Sequence, residues 1–276
     1  MNALEIHGLT KRRGDFTLQG LDLALPAGCI MGLIGENGAG KSTTIRLILN
    51  SLRREGGVVT IYGKDNRALT ARDREDIGVV LDEVGLPEYM NAAQIGKMMA
   101  GIFTRWQPEA YAAYLERLGL PQDKPFKDYS RGMKMKQGLA AALSHQPRLL
   151  LLDEATSGLD PVARDEILTL FADFTRDEDH AVLLSSHIVS DLEKICDYIA
   201  FLHNGRLLLC EEKDRLAEEY GILRGSADGI DPAAIRGRHA TPYGTEYLVR
   251  RGGVPAGLPL GQVNIEDLFV LMAKEA

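Results

Sequence analysis

Eight consecutive residues near the N-terminus could bind phosphate. They read Gly35-Glu36-Asn37-Gly38-Ala39-Gly40-Lys41-Ser42, which is a complete G-x-x-x-x-G-K-[ST] loop, and Thr43 follows. Glycines let the backbone curl so that several N–H groups point inward at a phosphate. Lys41 adds a mobile positive charge for the outer phosphates, and the Ser42 hydroxyl suits Mg²⁺. The loop therefore predicts a site for a phosphate-bearing ligand and a magnesium ion.

A pair of acids forms the second candidate for chemistry. Asp153 and Glu154 directly follow four leucines, residues 149–152, which predict a buried strand. The carboxyl ends of strands are where α/β sheets bind ligands. In phosphate-loop ATPases an aspartate at this point holds Mg²⁺, and Asp153 is predicted to do so indirectly, from outside the first layer of ligands. Glu154 points to the other face of the extended chain, where it could polarise water.

These residues need strands and helices to position them. The apolar run 29–34 predicts a buried strand before the loop, and residues 42–49 predict a helix whose N-terminus faces the phosphates. Further strands are predicted near 4–6, 21–25, 58–62 and 77–81, with a hairpin at Asn204-Gly205. Helical spacing dominates from about 88 to 145. A charged helix over 211–220 and a terminal helix capped by Asn264 are also predicted.

Composition narrows the class of protein. The chain has 276 residues and a net charge of −7, which disfavours a broad nucleic-acid-binding face. Its three cysteines, Cys29, Cys196 and Cys210, are widely spaced and odd in number, which indicates a reducing compartment rather than a disulfide or zinc framework. Neither a transmembrane run nor a signal-peptide pattern is found. Any membrane role is therefore expected to depend on a partner.

The segment after the acids resembles one protein family closely. Ser157-Gly158-Leu159-Asp160 matches the loop that follows the catalytic glutamate in ATP-binding cassette (ABC) ATPases, where it crosses the dimer interface. His187, after the strand that contains Leu183 and Leu184, matches the family's γ-phosphate-sensing histidine. The resemblance covers residues 3 to about 210. It implies that ATP is the bound nucleotide and that Glu154, His187 and Lys41 carry the catalysis.

Three positions depart from the family's pattern. The signature Leu-Ser-Gly-Gly-Gln is replaced by residues 129–133, Tyr-Ser-Arg-Gly-Met; Ser130 and Gly132 remain and are expected to face ATP on a second chain. Asp82 follows the strand 77–81 where the family has a glutamine. Its carboxylate could accept a hydrogen bond from metal-bound water, so Asp82 is predicted to contribute to the metal site with Ser42 and Asp153. It would also add negative charge beside the phosphates. Arg13 or Phe16 must stack on the adenine, unless their segment is a surface turn.

The resemblance implies an α/β fold. We expect a RecA-like phosphate-loop core with an antiparallel β-subdomain and an inserted helical subdomain at about 88–145. These parts form an ATPase domain over residues 1–218. A small α+β accessory module is predicted over 219–276, joined by a mobile connector because the composition turns charged and then rich in glycine and proline.

The function implied by the resemblance is ATP hydrolysis that drives transport. Two such chains, expected to be identical, would enclose two MgATP and act on a separate integral membrane permease, from a cytoplasmic position on the inner face of the cell membrane. The motifs are similar to those of the bacterial exporter branch, which serves drug and antimicrobial-peptide resistance. One alternative is a soluble cassette protein acting on ribosomes or DNA. A second, a small-molecule kinase, leaves the Ser157–Asp160 match unexplained.

Overall fold

The computed structural model describes residues 1–242, 244–255 and 257–275; Tyr243, Ala256 and Ala276 of the predicted C-terminal module lie outside these ranges. Its strands are β1 (Asn2–Arg13), β2 (Phe16–Pro26), β3 (Ile30–Ile34), β4 (Gly56–Ile61), β5 (Lys64–Asp65), β6 (Ile77–Val80), β7 (Leu149–Asp153), β8 (Ala181–Ser186), β9 (Tyr198–His203), β10 (Arg206–Glu212), β11 (Tyr220–Arg224), β12 (Ile235–Thr241) and β13 (Gly244–Arg250). Its α-helices are α1 (Lys41–Ile48), α2 (Ala71–Arg74), α3 (Ala92–Ala100), α4 (Pro108–Arg117), α5 (Arg131–Leu143), α6 (Pro161–Phe174), α7 (Val189–Ile195), α8 (Lys213–Glu219) and α9 (Ile265–Glu275).

A six-stranded sheet forms the centre, in the order β10-β9-β3-β8-β7-β6. Strands β3, β6, β7, β8 and β9 run parallel, and β10 pairs with β9 antiparallel at one edge. Every residue of β3, β7 and β8 is buried. Strands covered on both faces read as continuous apolar runs, which is why these segments lack alternation in the sequence.

Alternate residues of the central strands enter two separate cores. Met31 and Leu33 pack with the second sheet, whose order is β2-β1-β4-β5, and with α1. Ile30 and Ile34 face the other way, into a core formed with α5, α6 and α7. The three helices α3, α4 and α5 lie between β6 and β7 in the chain and account for the predicted helical segment. The predicted α/β class, with its nucleotide-type core and antiparallel sheet, is confirmed.

The C-terminal segment packs on the rest of the chain through shared core residues. Its antiparallel sheet, in the order β11-β13-β12, and α9 contribute to the same apolar core as α6 and α7. The Phe269 ring lies 5.3 Å from the Phe201 ring, centroid to centroid, and the Ile265 N–H donates to Glu193 Oε1 at 2.7 Å. The boundary at residue 218 stays a prediction. The C-terminal segment has a small apolar cluster of its own, which includes Leu223 and Val249, and it also shares the larger core with the rest of the chain.

The predicted mobile connector is wrong. Strand β10 continues to Glu212, and α8 occupies only Lys213–Glu219 of the helix predicted over 211–220. Leu216 and Tyr220 are each about 1% exposed, so the connection is packed against the core. Because their neighbours in the sequence are charged, these two apolar residues did not form a pattern that predicts burial. None of the helices within the described ranges combines the length and apolar character that a membrane span requires.

We expect Phe269→Ala to destabilise the whole chain, because it removes a buried ring from the shared core. Such a substitution costs about 3 kcal/mol or more. Chemical denaturation followed by circular dichroism should show one transition at a lower midpoint. Val270→Ala, a change at the neighbouring exposed position, is the control and should leave the midpoint nearly unchanged. An early separate transition that spares ATP binding would contradict the shared core.

Candidate functional site

Three strand ends meet at one edge of the central sheet and form a cavity. Strand β3 pairs with β8, and β8 pairs with β7, all in parallel, so their carboxyl ends are adjacent. The phosphate loop follows β3, the two acids end β7, and His187 follows β8. A cavity of about 550 Å³ lies at this edge. Pairing of strands far apart in the chain thus brings the predicted motifs together.

Most of the predicted site residues line this cavity. Its lining comprises Arg13, Phe16, Glu36, Asn37, Gly38, Gly40, Lys41, Ser42, Thr43, Asp82, Arg131, Glu154, Ser157 and His187. Three further predicted residues, Gly35, Ala39 and Asp153, do not line the cavity. Ser130, Gly132 and Asp160 are not among the lining residues of their own chain. The sequence analysis did not select Arg131 or Ser157 as site residues.

The phosphate loop holds its lysine in a defined position. Lys41 is 6% exposed, and its Nζ donates to the carbonyl oxygens of Gly35 at 2.7 Å and Glu36 at 3.3 Å. Gly40 precedes α1 with φ +113°, a conformation that side chains disfavour. The N-terminus of α1 therefore opens toward the cavity, where its free N–H groups favour an anion.

Glu154 connects the loop lysine to the histidine. Its Oε1 lies 3.4 Å from Lys41 Nζ, and its Oε2 lies 2.6 Å from His187 Nδ1. Its φ of +54° is unusual for a residue with a side chain, and its N–H donates to the Ser185 carbonyl oxygen at 3.0 Å. Strained backbone of this kind persists where the surroundings impose it, and it often marks functional sites.

Asp153 lies deeper than its neighbour. It is 3% exposed, and its Oδ1 accepts a hydrogen bond from Ser185 Oγ at 2.5 Å. Asp153 and Ser185 are direct partners in the parallel register of β7 and β8. The sequence analysis missed Ser185; the signal was a hydroxyl residue on a buried apolar strand, two residues before the histidine.

The turn between β1 and β2 brings to the cavity both residues that were predicted to stack on adenine. Arg13 and Phe16 are paired at the end of this hairpin. A Cβ on Gly40 would lie 2.7 Å from Phe16 Cζ, so the phenyl ring packs directly on the phosphate loop. Arg13 is exposed, whereas Phe16 is half-buried. The segment is therefore more than a surface turn, and both side chains remain candidates for contact with a base.

The signature residues serve local structure within their own chain. Ser130 caps the N-terminus of α5, and its Oγ accepts a hydrogen bond from the Met133 N–H at 3.2 Å. A Cβ on Gly132 would lie 3.1 Å from Leu159 Cδ2, so this helix packs closely on the segment after the acids. Asp160 caps the N-terminus of α6, and hydrogen bonds from the N–H groups of residues 163 and 162 hold the pKa of its carboxyl below the usual value.

The oxygen donors of the site suit a hard cation. Ser42 offers a hydroxyl in the lining, and the buried Asp153 carboxylate accepts a hydrogen bond from Ser185 on one of its oxygens. In the part of the chain that the structure describes, no cluster of three or more His, Cys, Asp or Glu could hold a metal alone. Mg²⁺ characteristically uses one or two protein oxygens together with substrate phosphates, and this donor set fits that use.

Comparisons with known proteins match the chain to one family. The model of the family described as "ABC transporter" matches residues 18–157. The bacitracin transport ATP-binding protein BcrA of Enterococcus faecalis is 34% identical over 212 residues, 74% of this chain and 68% of that protein. The lantibiotic transport ATP-binding protein SrtF of Streptococcus pyogenes is 32% identical over 217 residues, 76% and 91% of the two chains. A solved ATP-binding subunit of an ABC transporter superposes with a TM-score of 0.69 at 25% identity, covering 78% of this chain and 92% of that one.

Gly35→Ala should abolish nucleotide binding without unfolding the chain. A Cβ at this position would lie 2.4 Å from the Leu202 carbonyl oxygen in β9, so the backbone of the loop must move. Titration with a fluorescent ATP analogue measures the loss. Gly85→Ala is the matched control, since its Cβ would meet nothing within 4 Å. Tight binding by the Gly35 variant would show that the loop position is not required.

Proposed function

The chain belongs to the ABC transporter family and is an ATPase of that family; on this premise we propose that it binds MgATP in the cavity and hydrolyses it to drive a separate membrane permease. One observation carries the proposal, the position of the Glu154 carboxylate between Lys41 and His187. The three groups come from three different parts of the chain. Their convergence next to a phosphate loop suits hydrolysis of a terminal phosphate.

The contacts suggest how ATP starts the reaction. Triphosphate oxygens attract the Lys41 ammonium more strongly than a single carboxylate does, because they carry more negative charge. Lys41 then turns from Glu154 to the outer phosphates. The freed Glu154 carboxylate accepts a proton from the attacking water, and His187, hydrogen-bonded to Glu154, orients that water or donates to the γ-phosphate.

We assign the magnesium ion to the Ser42 hydroxyl and the Asp153 carboxylate, with Asp82 accepting a hydrogen bond from metal-bound water. When bound, the ion neutralises phosphate charge as it develops during phosphoryl transfer. Ser185 holds Asp153 in place through its hydroxyl. Phe16, packed on the loop at Gly40, and Arg13 flank the position of the adenine.

We assign Ser130, Gly132 and Asp160 to the site of a second copy of the chain. None of the three lines the cavity of its own chain, although Arg131 between them does. The N-terminus of α5, capped by Ser130, would face the γ-phosphate across the interface. Each chain would then supply the loop and acids of one site and the signature of the other, in a homodimer.

We place the protein on the cytoplasmic face of the cell membrane, bound to an integral permease, and propose export as the direction. The two relatives described above are transport proteins by name, for bacitracin and for a lantibiotic. Those names favour transport over action on ribosomes or DNA. The net charge of −7 is also unfavourable for a broad nucleic-acid contact.

Glu154→Gln should keep MgATP binding and lose turnover, because the amide preserves the shape of the side chain but cannot accept the proton. Loss of a general base costs on the order of 10²–10⁴ in rate. Phosphate release measures turnover, and a fluorescent ATP analogue measures binding. Glu166→Gln, which alters a carboxylate that faces Lys136 outside the cavity, is the control. Normal turnover by the Glu154 variant would remove the proposed base.

A mixing experiment tests the shared site. Lys41→Ala removes the loop lysine, and Gly132→Asp blocks the signature; each variant alone should be poorly active. In a mixed dimer one site has an intact loop and an intact signature, so mixing should restore part of the activity. Melting curves confirm that each variant is folded, and cross-linking confirms mixed dimers. If mixed dimers form but ATPase activity does not recover, one intact site is not sufficient for hydrolysis, and the expectation is contradicted.

A further inference from the structure

Two residues that replace the family's pattern contact one another. Arg131 stands at a glycine position of the signature and Asp82 at the position of the glutamine, 49 residues apart in the chain. Arg131 Nη2 donates to Asp82 Oδ1, and both side chains line the nucleotide cavity. The aliphatic part of Arg131 lies along Gly158, whose Cβ position would be 3.3 Å from Arg131 Cδ.

Stability does not account for this ion pair. The two side chains are 58% and 47% exposed, and exposed ion pairs contribute little to folding. Arg131 is also the first residue of α5, where the helix dipole disfavours a cation. No acidic residue lies in the first turn of that helix to offset it. A locally unfavourable residue beside a binding cavity indicates a role in that cavity.

The charges lining the cavity indicate what the role is. Lys41, Arg13 and Arg131 supply three cations, and Glu36, Asp82 and Glu154 supply three carboxylates. Without Arg131 the carboxylates outnumber the cations in a cavity that must accept a triphosphate. A glutamine at position 82 would be neutral, so no cation would be needed beside it. The aspartate at this position carries a negative charge that a nearby cation must balance.

The geometry points to Arg131 as the residue that compensates Asp82, so that a cavity with a carboxylate at position 82 still accepts MgATP. This inference rests on the proposed function. Arg131 acts through the electrostatic potential at the phosphates and through the orientation of Asp82, and it is a positioning residue rather than a catalytic one. The two departures from the family's pattern therefore belong together: a neutral glycine and glutamine are replaced by the oppositely charged Arg131 and Asp82.

A double-mutant cycle on Asp82 and Arg131 tests the compensation. Binding of MgATP and MgADP is measured by calorimetry for wild type, Arg131→Ala, Asp82→Asn, Arg131→Ala with Asp82→Asn, and Arg131→Lys. We expect Arg131→Ala to weaken MgATP binding at least about fivefold, since an uncompensated carboxylate repels the phosphates. The double variant and Arg131→Lys should bind within about twofold of wild type. Both restore the charge balance, and in the double variant the asparagine amide oxygen can still accept the hydrogen bond from metal-bound water.

The dependence on ligand charge and salt separates compensation from a structural effect. The loss in Arg131→Ala should be larger for MgATP than for MgADP and should shrink as salt is raised. Lys134→Ala and Glu83→Gln change charges near the pair but outside the cavity lining, and both should bind as wild type does.

Three results would overturn the inference. They are unchanged MgATP binding by Arg131→Ala, a double variant as weak as Arg131→Ala, and equal losses for MgATP and MgADP. Wild-type protein that binds no MgATP would instead refute the proposed function, so the two failures are distinguishable.

Discussion

The parallel pairing of β3, β8 and β7 is the constraint on which the site depends. It places the phosphate loop, the two acids and the histidine at one edge, although the loop lies more than a hundred residues before the acids in the chain. Both faces of these strands are buried, so a shift of one residue would exchange the two cores and move every functional side chain. The packing of the central sheet therefore fixes the geometry of the chemistry.

The site also depends on the balance between the cations and the carboxylates that line the cavity. The cavity that we propose for MgATP also contains the carboxylates of Glu36, Asp82 and Glu154. Lys41 pairs with Glu154, and Arg131 pairs with Asp82, so two of the three carboxylates in the lining have a lysine or arginine beside them. We infer that the triphosphate competes for Lys41 and thereby releases Glu154. The binding of substrate and the activation of the base would then be one event.

The sequence predicted what depends on local patterns. The phosphate loop, the acids after a run of leucines, the Ser130 cap and the Asn204-Gly205 hairpin each have short-range signatures, and Asn204 and Gly205 indeed have positive φ. Contacts between distant residues were not predictable in this way. The bond from Ser185 to Asp153, the pair of Arg131 and Asp82, and the packing of Phe269 on Phe201 depend on how strands and helices meet. Leu216 and Tyr220 lie in a charged stretch, and two apolar residues were not enough to predict that this connection is buried.

The central claim is that an active site requires two chains. Turnover per chain, measured for purified protein over a wide range of dilutions with saturating MgATP, tests it most directly. The account predicts that turnover per chain rises with protein concentration and levels off once dimers predominate. Constant turnover per chain from a species that light scattering shows to be monomeric would contradict it.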